Sequence, residues 1–158
     1  MTTKSVDALL KEKKIFQVVN PKLVQARPEM PVQSVIQIMQ EKQSGYAVIA
    51  ESNRVVGIFT ERDVVMKVLN KDVDLNSPVS EFMTPDPFVL TPQDSVGAAM
   101  DLMGDKRFYH VPLVNDNGEL VGILSVRTLI RFLAAFYPTE VYNLPPVPGQ
   151  IMETPEGG

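Results

Sequence analysis

The feature that most constrains the fold of this chain is an internal repeat. Residues 19–52 align with residues 83–116 at a shift of 64, and beyond the next turn the shift becomes 65. The alignment keeps prolines, a glycine and helical apolar positions, as in Pro21/Pro85, Pro28/Pro92, Val32/Val96, Met39/Met103, Gly57/Gly122 and Arg62/Arg127. A repeat of this kind indicates two copies of one supersecondary unit that must pack together to bury an apolar face.

Each copy is predicted to be a β-α-β-β-α unit, which gives an α/β (α+β) fold. Apolar residues at spacings of three and four indicate helices around 32–39 and 96–103, the second capped by Asp94. Short apolar runs bounded by prolines or polar turns indicate strands at 23–26, 46–50, 55–59, 88–90, 110–114 and 120–124, with closing helices at 61–69 and 126–135. The turn 115–118 ends in glycine and is expected to adopt positive φ.

The remaining segments lie around the repeats. We assign residues 1–14 to an N-terminal helix capped by Ser5, 15–69 and 83–136 to the repeats, 70–82 to a linker and 137–158 to a tail. In the linker, Ser77 is expected to cap a helical turn whose first residue is Pro78. The tail is rich in proline and is expected to be extended and partly disordered.

Composition argues against most catalytic chemistry. The chain has no cysteine and one histidine, which excludes disulfides, thiolate metal sites, cysteine nucleophiles and histidine-rich metal cages. A net charge of −4 disfavours general nucleic-acid binding. The sequence contains neither a bilayer-spanning apolar run nor the apolar core of a signal peptide, so we expect a cytoplasmic protein that is not an enzyme and binds no metal.

The two strand-to-helix junctions carry the most chemical information. The first includes Thr60, Arg62 and Asp63, and the second Ser125 and Arg127. A hydroxyl at a helix start can bind phosphate together with backbone N–H groups, and a carboxylate three residues later can accept hydrogen bonds from a ribose diol. The alternative is an ordinary capping box, in which Asp63 only returns a hydrogen bond to the backbone.

Both copies resemble cystathionine-β-synthase (CBS) domains, and the pair resembles a Bateman module. The matching segments are 82–87, the helix up to Met103, the strand 110–114 and the two Gly-x-x-(Thr/Ser) junctions, so the resemblance covers about residues 15–135. It implies two β-α-β-β-α units packed with pseudo-twofold symmetry, usually dimerised. It also implies an adenosine-containing ligand between the repeats.

Carried over by position, the resemblance implies two unequal ligand sites. At the first site Thr60 and Arg62 would contact phosphate and Asp63 the ribose, while the adenine slot would be lined by Gly45, Tyr46, Ala47 and Ile58. The second site would use Ser125, Arg127, Thr128, Tyr109, His110, Val111 and Pro112. Because Thr128 replaces the aspartate of the family pattern, we expect this second site to be weaker.

These observations favour a standalone regulatory module that senses AMP, ADP or ATP, with S-adenosylmethionine or NAD as other candidate ligands. Ligand binding would change the geometry of the repeats or of a homodimer, and an unidentified effector protein would receive the signal. Either a dimer interface or internal core fits Val64, Val65, Leu69, Leu129, Ile130 and Leu133. An adaptor with a vestigial nucleotide cleft is the alternative, since the segment 142–148 could present polyproline to a partner.

Overall fold

The computed structural model describes residues 5–19 and 22–136 of the chain. Helix α1 (Val6–Glu12) and a 3-10 turn (Ile15–Gln17) come first. The first repeat then comprises β1 (Gln25–Ala26), α2 (Val32–Glu41), β2 (Tyr46–Glu51), β3 (Arg54–Thr60), α3 (Glu61–Asp63) and a π-helical segment (Val64–Leu69). A 3-10 turn (Val79–Glu81) lies in the linker, and the second repeat comprises β4 (Thr84–Pro85), α4 (Val96–Lys106), β5 (His110–Val114), β6 (Leu120–Ser125) and α5 (Val126–Phe136).

Two sheets form the centre of the fold. In the first, the strand order is β1-β2-β3-β4, with β1 parallel to β2 and the other pairs antiparallel. In the second, β5 pairs with β6, and Leu90 makes a parallel bridge to Leu113 where β1 pairs with β2 in the first repeat. The order of elements confirms the predicted mixed α/β fold of two similar units.

The hairpin turns explain why the repeat shift changes by one residue. Ser52 and Asn53 adopt φ of 49° and 63° in the two-residue turn between β2 and β3. The turn between β5 and β6 is longer, and Gly118 adopts φ of 78° there, as predicted. Positive φ at both central residues is the conformation that matches the twist of a tight hairpin, and glycine adopts it with little steric cost.

The segments that precede the two repeats are exchanged between them. Ile15 N donates to Asp94 O at 2.9 Å, and Ile15 is fully buried in the core of the second repeat. Conversely, Val79 N donates to Met30 O at 2.8 Å, and Val79 is fully buried in the core of the first repeat. Each unit is therefore completed by chain from the other, as pseudo-twofold symmetry requires.

A third apolar cluster joins the two sheets. Its buried members come from β2, β3 and β6 and are Val48, Ala50, Ile58, Leu120 and Ile123. Leu120 N also donates to Asn53 O at 2.8 Å, which ties the two hairpins together. Because neither sheet alone can cover these side chains, burial of this cluster holds the two repeats in one structure.

Two predicted caps are wrong. Ser95 caps α4, its Oγ accepting from Ala98 N at 3.1 Å. The Asp94 carboxylate is instead engaged one turn earlier, where it accepts from Thr91 N at 2.7 Å. Aspartate competes for nearby backbone donors in this way, so a cap can move by one residue. In the linker, the 3-10 turn begins at Val79 and Pro78 is its extended N-cap.

Two further segments differ from their predictions. The closing helix of the first repeat is helical over residues 61–69, but only its first three residues are α-helical and the rest is π-helical. Residues 88–90 form no regular strand: only Leu90 pairs, and Phe88 and Val89 are exposed. Ser5 caps α1 as predicted, while the proline-rich tail lies outside the described residues.

Replacing Val79 by alanine should destabilise the whole fold. Val79 is fully buried in the first core although it precedes the second repeat in sequence. We expect a loss of about 2 kcal/mol of unfolding free energy, measured by urea denaturation, because the truncation removes apolar contact and leaves a small cavity. Val121→Ala is the control, since Val121 is 48% exposed. Equal losses in the two variants would contradict this account.

Candidate functional site

One cavity of about 630 Å³ lies at the junction between β3 and α3. Its walls come from this junction, from residues 84–88 after the linker and from residues 107–110 before β5. The lining residues are Gly45, Ile58, Thr60, Glu61, Arg62, Asp63, Met66, Lys67, Thr84, Pro85, Asp86, Pro87, Phe88, Arg107, Phe108, Tyr109 and His110. The cavity is therefore built from both repeats.

Thr60 and Asp63 form a reciprocal capping box at the helix start. Thr60 N donates to Asp63 Oδ2 at 3.0 Å, and Asp63 N donates to Thr60 Oγ1 at 3.4 Å. The Thr60 hydroxyl also donates to Asp63 Oδ2, at 3.2 Å. The ordinary capping interaction is thus present in the structure. It fixes the carboxylate at the edge of the cavity, where Asp63 is only 6% exposed.

The other carboxylate oxygen of Asp63 binds two side chains from outside the capping box. Lys67 Nζ lies 2.9 Å from Asp63 Oδ1, and the Thr84 hydroxyl donates to the same oxygen at 3.2 Å. Lys67 Nζ also donates to the backbone carbonyls of Phe82 and Met83, at 3.0 and 3.4 Å. Asp63 is therefore the centre of a network that joins the closing helix to the connection between the repeats.

Five of the residues predicted for the first site line the cavity, namely Gly45, Ile58, Thr60, Arg62 and Asp63. Tyr46 and Ala47 are not among the lining residues, and their assignment to the adenine slot stays a prediction. Ala47 is fully buried in the core of the first repeat, since its side chain points away from the cavity in β2. Tyr46 is half-buried, and its hydroxyl donates to Lys22 O at 3.2 Å, so it supports the wall from behind.

The residues assigned to the second site lie in three places, and their grouping into one site stays a prediction. Tyr109 and His110 line the same cavity as Asp63, because the end of the second repeat's helix faces the first junction. Val111 and Pro112 are buried within β5. Ser125, Arg127 and Thr128 remain at the second junction, where Thr128 N donates to Ser125 Oγ at 3.2 Å and the two hydroxyls lie 3.1 Å apart.

Sequence reasoning missed several residues that line the cavity. Lys67 could have been found, because it lies four residues after Asp63 on a helix, the spacing of a stabilising ion pair. The aromatic side chains Phe88 and Phe108, whose ring centroids are 5.5 Å apart, could not. They are distant in sequence and meet only in the folded chain. Arg107 ends α4 with a left-handed φ of 56°, and the chain runs from it directly into Phe108.

Burial sets the protonation behaviour of the one histidine. Desolvation lowers the pKa of His110 from its ordinary value of 6.5, Arg127 lowers it further, and Glu61 opposes both. The imidazole packs against the Tyr46 ring with centroids 5.0 Å apart. Burial likewise raises the pKa of Tyr46. Both side chains are therefore uncharged near neutral pH and present an apolar surface beside the cavity.

Two electrostatic features define what the cavity can bind. Asp63 offers a buried carboxylate, while Arg62 and Arg107 supply exposed guanidinium groups on the lining. Acidic side chains of Glu61 and Asp86 lie on the same lining, so the cavity is not uniformly cationic. Such a site suits a ligand with an apolar ring, hydroxyl donors and a small number of anionic groups. Within the described residues, no cluster of potential metal ligands is present.

Acidification should destabilise the fold through His110. Because the unfolded imidazole binds a proton more readily than the folded one, this stability is present above a pH of about 6.5 and is lost as pH falls toward the lowered folded pKa. Urea unfolding at pH 7 and pH 5 should show a larger loss for the wild type than for His110→Gln. Equal losses would mean that His110 has the same pKa in both states.

The CBS domain family model matches residues 15–70 and 79–135. An uncharacterized 17.7 kDa protein of Acidianus ambivalens is 39% identical over 121 residues, which cover 76% of this chain and 73% of that protein. In the described parts of the chain, no helix is long and apolar enough to cross a bilayer.

Solved structures show the same fold. A CBS domain protein from Pyrobaculum aerophilum, complexed with AMP, superposes with a TM-score of 0.69 at 27% identity, covering 77% of this chain and 98% of that one. A CBS domain pair in complex with 5′-methylthioadenosine and S-adenosyl-L-methionine superposes with a TM-score of 0.72 at 18% identity, covering 78% and 98%. With its duplicated sequence and exchanged segments, the chain belongs to the CBS domain family.

Proposed function

We propose that this chain is a regulatory module, and not an enzyme, which binds an adenosine-containing ligand in the cavity beside Asp63. The observation that carries the proposal is the buried Asp63 carboxylate, fixed at a helix start and facing a cavity with apolar, aromatic and cationic walls. The AMP complex of the Pyrobaculum relative, which shares 27% identity, supports the ligand class. Among adenosyl ligands, AMP, ADP and ATP are the first candidates, followed by S-adenosylmethionine and NAD.

Each lining group has a distinct role in this proposal. The ribose hydroxyls would donate to the Asp63 carboxylate, since a hydrogen bond to a charged acceptor contributes about 1.5–3 kcal/mol. Adenine would lie on the apolar surface that includes Ile58 and His110. The guanidinium of Arg62 and the Thr60 hydroxyl would contact phosphate, with Arg107 as a second cation on the lining.

The second junction is proposed to be the weaker site. Ser125 and Thr128 hydrogen-bond to each other there, and a threonine hydroxyl cannot supply the two charged acceptor oxygens that a ribose diol requires. In addition, Tyr109 and His110 belong to the cavity of the first junction. We therefore expect one strong adenosyl site per chain.

Signalling would follow from the construction of the cavity. Because its walls come from both repeats, a ligand that binds one relative placement of the repeats better than another shifts the population toward that placement. The change would be passed to an effector protein or across a homodimer. A polyproline partner for segment 142–148 stays a prediction, since that segment lies outside the described residues.

Asp63→Ala should abolish stabilisation by nucleotide. In a thermal-shift panel of adenine and guanine nucleotides, an adenosyl ligand at about 100 times its Kd should stabilise the wild type by about 2.7 kcal/mol. For a chain of this size that is a rise in Tm of roughly 5–10 °C. The variant should show little or no rise, because the ribose loses its charged acceptor. Calorimetric titration of the wild type should give one strong site.

Asp94→Ala is the matched control. The Asp94 carboxylate accepts from the backbone N and hydroxyl of Thr91 at 2.7 and 3.2 Å, which resembles the Asp63 arrangement, yet Asp94 does not line the cavity. The Asp94→Ala variant should have a lower Tm without ligand, but the rise in Tm on adding ligand should equal that of the wild type. No shift of the wild type with any nucleotide would overturn the proposal, and two equal sites per chain would overturn the ranking of the junctions.

Homodimerisation would use the closing helices. Val65, Leu69 and Ile130 are 48%, 68% and 60% exposed, whereas Leu129 is 4% exposed and belongs to the core of the second repeat. Neither the interface nor the internal core therefore accounts for all members of this apolar group.

Ile130→Asp should convert a dimer to a monomer in light scattering after size exclusion, since burying an unpaired charge is costly. A wild-type monomer at high concentration would contradict the dimer.

A further inference from the structure

Asp63 has all of its acceptor capacity in use. A carboxylate offers about four lone-pair sites on its two oxygens. Oδ2 accepts from the backbone N and the hydroxyl of Thr60, and Oδ1 accepts from Lys67 Nζ and the Thr84 hydroxyl. A ribose diol can therefore bind this carboxylate only if existing donors move away. The Thr60 backbone donor is held by the helix start, so the displaceable donors are side chains.

The two donors on Oδ1 are the ones that can move most easily. Thr84 is exposed, and its hydroxyl can rotate toward solvent. The Lys67 side chain is 38% exposed, so its ammonium can be hydrated when it leaves the carboxylate. Both side chains line the cavity and bind Oδ1, so their departure would free this oxygen for a ligand diol. We propose that Lys67 competes with the ligand diol for Asp63 and thereby couples occupancy of the site to the connection between the repeats.

Lys67 can perform this coupling because its other donors bind that connection. An ammonium has three N–H groups, and those of Lys67 point to Asp63 Oδ1, Phe82 O and Met83 O. Phe82 is buried in the first core, and the next residues form β4, which pairs with β3. The chain then continues into the second repeat. Release of Asp63 removes the charged anchor of Lys67 and loosens its hold on this connection.

The inference rests on the proposed function, but it predicts an effect of opposite sign from a simple ligand contact. If Lys67 contacted phosphate, its removal would weaken binding. If Lys67 competes for Asp63, its removal strengthens binding of a ligand that has a ribose diol and no phosphate. Adenosine is therefore the diagnostic probe. 2′-Deoxyadenosine, which lacks one hydroxyl of the diol, is the matched probe.

The test measures the affinity of adenosine for wild type and for Lys67→Met, which keeps the unbranched stem without the ammonium. Because a partly exposed ion pair contributes little to stability, we expect adenosine to bind Lys67→Met about two- to fivefold more tightly. The gain should be smaller for 2′-deoxyadenosine. Lys71→Met, which removes a charge outside the cavity lining, should bind adenosine as the wild type does.

Hydrogen exchange gives a second readout that needs no ligand. The amides of Met83 and Asp86 donate to Val79 O and Val56 O at 2.9 and 3.2 Å. They should exchange faster in Lys67→Met than in the wild type, with no change in Lys71→Met. Unaltered exchange at both amides would overturn the coupling to the connection.

The outcomes separate the two proposals. If AMP binds the wild type but adenosine binds Lys67→Met equally or more weakly, the competition is overturned and the proposed function stands. If adenosyl ligands bind Lys67→Met alone, the competition is supported, while the proposed function of the wild type is overturned. If they bind neither protein, both proposals fall. Should Lys67→Met not fold, Thr84→Val removes the other donor from Oδ1, and unchanged adenosine binding by that variant would overturn the competition.

Discussion

The rest of the structure depends on the exchange of backbone hydrogen bonds between the repeats. The segment before the first repeat pairs with the start of α4, through Lys13 O and Ile15 N. The segment before the second repeat pairs with the first repeat, where Val79 N donates to Met30 O. A unit of this size buries too little apolar surface to be comfortably stable alone, and each is completed by a segment from the other. Each core therefore contains a residue of the exchanged segments, Val79 in the first and Ile15 in the second.

The same exchange explains why the candidate site forms at one junction. The connection that delivers Val79 and Phe82 to the first core continues as β4 beside β3. Gly57 leaves room for the Met83 side chain in this approach, because a Cβ at that position would clash with it. Thr84 is thereby brought against Asp63, and Phe88 against Phe108. One segment thus supplies core residues, a strand and a wall of the cavity.

Asp63 shows how a structural and a functional reading can both hold. The capping box is real, and it fixes the carboxylate where a ligand can reach it. Local preference for a cap therefore places the group, while the cost of leaving a buried carboxylate unpaired explains why Lys67 and Thr84 also bind it. Under the proposed function a ligand would exchange with these partners, and its affinity would depend on how firmly the connection between the repeats is held.

Local sequence patterns predicted the duplicated unit, most of its strands and helices, the hairpin turns and the junction that includes Thr60 and Asp63. These features are local, since apolar periodicity, turn residues and capping motifs act within a few residues. Only the tertiary structure decided that Tyr109 and His110 face Asp63, that Ala47 is buried in a core, and that Lys67 joins the site to Phe82 and Met83. These placements arise from packing between segments far apart in sequence, which no local pattern encodes.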